Sequence, residues 1–152
     1  MDKNSSGMEN RKAKLSALWI FAILNYLYCD YIGLIDPTLL KQYITGNVEG
    51  LQITQGFLLA AAILMEMPIS MVLLSLVLKY AANRWANIIA GTIMTVVQFS
   101  TLFVGSSPTV YYIFFSIIEI TCTALIVLYA WTWVNPESSL ESKRFLRQEK
   151  LT

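Results

Sequence analysis

Four apolar runs divide the chain, at 15–35, 52–78, 85–104 and 110–134, with short polar stretches between them. From Leu51 to Leu78 the one charged residue is Glu66, and from Trp85 to Val134 it is Glu119. A helix on the surface of a water-soluble fold needs a polar stripe renewed every few positions, and these runs lack one. Each is long enough to cross a hydrocarbon layer about 30 Å thick, which takes roughly 20 helical residues. The pattern predicts an all-α membrane protein, an antiparallel up-down bundle of four transmembrane helices with polar tails at 1–14 and 135–152. The second run would measure about 40 Å as a straight helix, so tilt or a hinge at Pro68 is expected to absorb the excess.

The first run begins behind Arg11, Lys12 and Lys14, as a signal peptide would. It exceeds the roughly 7–15 residues of a signal core and carries Asn25 and Asp30, so it is expected to be a retained span. The segment 36–51 carries local signals of its own. Asp36 is placed as an N-cap, Pro37 opens a helical turn and Gly46 ends it, while Leu39, Leu40, Tyr43 and Ile44 share one face. A short outer interfacial helix is predicted there.

Charge adds orientation. If the N-terminus lies inside, one side receives Lys3, Arg11, Lys12, Lys14, Lys79, Arg84, Lys143, Arg144, Arg147 and Lys150, and the other only Lys41. Cationic residues in short loops stay cytoplasmic, so both termini are expected inside. Trp19, Trp85, Trp131 and Trp133 fall at the same ends of their runs, the expected place for interfacial indoles, while Tyr31, Tyr111 and Tyr112 mark the other boundary. The basic residues do not form the face that nucleic-acid binding would need. Cys29 and Cys122 lie far apart in apolar runs with no CxxC, and the chain has no histidine. They read as small core residues, and no metal site or cofactor is expected.

Ionisable groups inside a span cost about 2.5–3.5 kcal/mol for Asp at a helix centre, so they are functional candidates. Asp30, Glu66 and Glu119 qualify, and Asn25 and Gln98 add neutral polar groups. At 1.5 Å per residue, rough depths from the outer end are about 9 Å for Asp30, 10 Å for Gln98, 14 Å for Glu119 and 21 Å for Glu66. Helical spacing groups Glu66 with Ala62 and Ser70; Glu119 with Tyr112, Ser116, Cys122 and Thr123; and Asn87 with Gly91, Thr95 and Gln98. These small, polar faces are expected to turn inward, making an outward-opening pocket over an apolar inner end. No cation in the sequence lies at those depths, so the acids either stay protonated or hold a cation.

The stretches Asp36-Pro-Thr-Leu-Leu40, Gly56-Phe-Leu-Leu59, Leu64-Met-Glu-Met-Pro68, Arg84-Trp-Ala-Asn-Ile-Ile-Ala-Gly91 and Trp131-Thr-Trp-Val-Asn-Pro136 resemble a family of small bacterial four-helix membrane proteins of unknown function. The resemblance implies a four-span fold in the bacterial cytoplasmic membrane and no assigned activity. Small multidrug transporters share only the architecture, since their membrane glutamate sits on the first helix, where this chain has Asp30. The expected function is a small proton-linked, cation or polar-solute permease or binding protein, homo-oligomeric because four helices enclose little volume. The alternative is a non-transporting accessory protein whose acids cross-bond helices. An enzyme is the third reading, since carboxylates could serve as acid and base, but no nucleophile, metal set or phosphate loop accompanies them.

Overall fold

The computed structural model describes residues 3–48, 50–105 and 108–134. The expected C-terminal tail at 135–152 and the middle of the expected turn at 105–109 lie outside them. Among the described residues the fold is helical apart from one small hairpin and the short connections. Five helices follow in order: α1 (Lys3–Ile35), α2 (Pro37–Thr45), α3 (Gln55–Val77), α4 (Tyr80–Thr101) and α5 (Val110–Trp131). The hairpin, β1 (Asn47–Val48) with β2 (Leu51–Gln52), joins α2 to α3 in antiparallel register, Asn47 facing Gln52.

Local chemistry sets the boundaries. Asp36 accepts the amide of Thr38 at 2.9 Å and its hydroxyl at 2.7 Å, and Pro37 opens α2. Gly46 closes it in the left-handed region at φ 71°, its N–H returning to carbonyls of Gln42 and Tyr43, as in a left-handed glycine cap. The predicted short helix is therefore present, and it packs on α1, where Leu39 approaches Gly33. Thr54 caps α3 by accepting the amide of Phe57. This shortens the second run: residues 52–54 are not helical, and α3 has 23 residues. At the other end of the chain the helix is longer than the apolar run. α1 starts at Lys3 and has 33 residues, because the polar stretch before Leu15 is built largely from good helix formers.

The four long helices are neighbours in a closed cycle, α1 on α3 and α5, and α4 on α3 and α5. The core runs between them through Leu15, Trp19, Ala22 and Tyr26 of α1, Met71 of α3, Ala90 and Met94 of α4, and Cys122 and Ile126 of α5. The α4–α5 contact is tight. A Cβ at Gly91 would meet Cγ2 of Val127 at 2.8 Å and the carbonyl of Thr123 at 3.3 Å, so this crossing is built around a missing side chain.

The outside is apolar. Val110 is 86% exposed, Val77 77% and Phe103 74%, with leucines and isoleucines exposed along α1, α3 and α5. Monomeric water-soluble proteins do not show such continuous apolar surface. Three helical stretches, Ser6–Ile35, Gln55–Val77 and Val110–Trp131, are long and apolar enough to cross a membrane. α4 has 22 residues, and its buried face carries Asn83, Asn87 and Gln98.

Candidate functional site

The buried polar groups fall into two sets. One lies toward the end where α1 begins and α3 finishes, here the basic end. Trp19 Nε1 donates to Asn87 Oδ1 at 2.7 Å, and Ser75 Oγ donates to the same oxygen at 3.2 Å. Asn87 Nδ2 donates to Asn83 Oδ1 at 2.7 Å, and Asn83 Nδ2 donates to the Ser75 carbonyl at 2.6 Å. Trp19, Ser75, Asn83 and Asn87 are each fully buried. Three helices are thus joined by a polar network in which the named groups find partners, and it overturns the expectation of an apolar inner end. It also corrects the placing of the tryptophans. Trp85 and Trp131 are more than half exposed, but Trp19 and Trp133 are buried, at 0% and 3%. Trp133 packs edge-on against Tyr80, whose hydroxyl donates to the Trp133 carbonyl.

The second set lies nearer the α2 end and is organised around Glu119. This side chain is 1% exposed, and among the described residues neither carboxyl oxygen has a hydrogen-bond partner. The hydroxyl of Tyr26, 6% exposed, is likewise buried without a partner. Tyr26, Cys29, Asp30 and Tyr112 all lie within electrostatic reach of Glu119. The surrounding polar groups are matched to one another. Gln98 Nε2 donates to Ser116 Oγ at 3.0 Å, Thr95 Oγ1 pairs with Thr123 Oγ1 at 2.7 Å, and Tyr112 donates to Thr101 Oγ1 at 2.6 Å. The Cys122 thiol donates to the Leu18 carbonyl at 3.3 Å. A buried polar atom without a partner is uncommon, and each one requires an explanation. Two carboxyl oxygens and a phenol hydroxyl in one neighbourhood make a site with acceptor and donor capacity left over.

The five residues singled out in the sequence separate accordingly. Glu119 and Gln98 are buried in this region, and Asp30 borders it with an exposed side chain. Asn25 does not join. It is half-buried and turns its amide back to the Phe21 carbonyl of its own helix at 2.7 Å. Glu66 does not join either: its side chain is exposed, and α3 buries Pro68, Met71 and Ser75 instead. Two residues on a helix turn about 200°, so Glu66 points away from the side that holds Pro68. The expectation that its face turns inward is corrected. Periodicity grouped its neighbours properly but chose the wrong side, because in this chain both sides of α3 are apolar.

Tyr26 was missed, although it lies one turn from both Ala22 and Cys29 on the buried stripe of α1. Asn83 and Ser75 were missed as well. The i, i+4 spacing of Asn83 and Asn87 was the available signal for the first, and nothing in the sequence marked the second.

Residues 4–139 match the family model described as a family of unknown function, DUF6326, and the chain belongs to that family. No curated protein and no solved structure matches the chain.

Proposed function

We propose that the protein is a four-pass protein of the bacterial cytoplasmic membrane, with both termini inside, that binds and passes a proton or a small cationic or polar solute at Glu119. α4 joins α1, α3 and α5 as a span in this reading, its polar face covered by its neighbours, and α2 lies at the outer surface. The observation that carries the proposal is the fully buried Glu119 carboxyl with both oxygens unpartnered. An acid held in this way, next to the unpartnered Tyr26 hydroxyl, has the capacity to take up a proton or ligate a cation. Asp30, exposed on the α2 side, is the entry group. Orientation rests on the ten-to-one division of lysine and arginine between the two sides.

The test is flux into proteoliposomes containing a pH-reporting dye, under an imposed proton or monovalent-cation gradient. Wild type is expected to dissipate the gradient, Glu119→Gln to lose most of that activity, and Asp30→Asn to slow it. Thermal unfolding in detergent provides the control for folding. Equal flux through wild type and a folded Glu119→Gln variant removes the proposal. A second reading, a non-transporting accessory protein, draws on the Trp19–Asn87–Ser75–Asn83 network, in which polar groups only join helices. It predicts no flux from wild type or from any variant, and loss of stability from substitutions in that network.

A further inference from the structure

The side of α3 turned away from the rest of the chain has a regular spacing. Gln55, Leu59, Ala62, Glu66, Ile69, Leu73 and Leu76 are all exposed and follow one another at alternating steps of four and three. One face of any helix has this spacing, and it is also the spacing that a seam between two helices uses; the exposed surface around it includes Leu58, Ile63, Leu74 and Val77. The members of the row are apolar apart from Gln55 at one end and Glu66, which lies equidistant from the two ends of α3. In the bilayer this depth is the costliest for an acid, and among the described residues the Glu66 side chain has no hydrogen bond or ion pair. We infer that the α3 seam is the interface with a second copy of this chain, arranged in parallel so that Glu66 of each copy hydrogen-bonds its counterpart.

A second copy suits this surface for a reason of symmetry. In a parallel two-stranded seam each core layer brings a residue against its own equivalent, so the one acid in the middle meets an acid at the same depth. A carboxyl and a carboxylate, or two carboxyls, then satisfy each other as donor and acceptor. A different partner would have to present a donor at that depth. Two outward hydroxyls elsewhere bond their own helices, Thr121 to the Ile117 carbonyl at 2.6 Å and Ser100 to the Val96 carbonyl at 2.7 Å, which leaves no donor over for a partner. Glu66 fixes register in the way a lone polar residue does in the core of a coiled coil. Pro68 stays out of the seam because it is turned inward.

The inference rests on α3 crossing the membrane and not on passage of solute at Glu119. Two differently tagged copies are co-expressed, and single cysteines are introduced at Ala62, Ile69 or Leu73, with Leu24 and Ile117 as exposed controls on α1 and α5. The native Cys29 and Cys122 are buried and serve as background. Mild oxidation in native membranes is expected to link the two tags at the seam positions and not at the controls. Without an introduced cysteine, Glu66→Leu should weaken co-purification of the tags about 3- to 30-fold, while Glu66→Gln, whose amides can also pair, retains it. Cross-linking at Leu73 is expected to persist in Glu119→Gln, which separates this result from the flux test. Seam cysteines that link no better than the controls, adducts containing another protein, or a Glu66→Leu variant that associates as tightly as wild type would each overturn it.

Discussion

The bond between Trp19 and Asn87 offers a direct measurement of what holds the helices together. Trp19→Phe removes the indole N–H and keeps an aromatic ring, and Asn87→Leu removes the acceptor at similar volume. Each single change also disturbs packing. Asn87→Leu breaks four contacts at once, from Trp19 and Ser75 and to the side chain and carbonyl of Asn83. A destabilisation of about 1–3 kcal/mol is expected for it, from interhelical bonds worth about 0.6–1.7 kcal/mol each in membrane proteins. The double variant isolates the pair. At 2.7 Å between two fully buried groups, the coupling should lie near the top of that range, about 1–1.7 kcal/mol. The assay is reversible unfolding in mixed micelles titrated with sodium dodecyl sulfate, followed by far-ultraviolet circular dichroism, because fluorescence would respond to loss of the tryptophan itself. A coupling below about 0.3 kcal/mol, the scatter expected of independent sites, would refute the claim that this hydrogen bond joins α1 to α4.

Further outcomes follow from other contacts. Gly91→Ala should cost about 1–3 kcal/mol through overpacking against Val127, whose β-branched side chain has little rotamer freedom in a helix; Val127→Ala in the same chain should recover much of it in the same unfolding assay. Cys29 and Cys122 should resist a maleimide in intact membranes and react after denaturation, since both are buried. The α2 cap should fail in acid. Hydrogen bonds from the hydroxyl and amide of Thr38 hold the Asp36 carboxyl below its ordinary value of 3.8. Its contribution is therefore fully present above that value and is lost as pH falls through the lower, folded-state value. The protection of the Thr38 amide, its hydrogen-exchange rate taken relative to the intrinsic rate at the same pH, should fall on acidification through that interval, and Asp36→Asn should remove that change in protection.

Much of the architecture was legible because it is written locally. Asp36, Pro37 and Gly46 act within a few residues of themselves, so the short helix they bound could be read from spacing alone. The hairpin that follows could not, since two paired residues per strand make no periodic pattern. Hydrophobicity bounds the apolar run at Leu15 and not the helix, which the polar stretch before it continues to Lys3 through its propensity. The site was only half legible, and for a different reason. In water the apolar side of a helix faces the core, but in lipid both sides are apolar, and a polar residue loses its value as a compass. Glu119 and Glu66 look alike in the sequence. One is sealed inside and the other faces outward, and that difference is decided by packing against other helices.

The lysines and arginines at the basic end also act as helix caps. Lys12 donates to the Leu76 carbonyl in the last turn of α3, Arg11 to the Tyr129 carbonyl of α5, and Arg84 to the carbonyls of Ala130 and Trp131. These are the orphan acceptors at the negative ends of two helix dipoles. Under the proposed orientation, neutralising them to invert the protein's insertion would also loosen those ends, so a misrouted variant and an unravelled one would look the same in a reporter-fusion assay. Lys79 takes part in none of these carbonyl contacts and is the cleaner position for moving charge across the membrane.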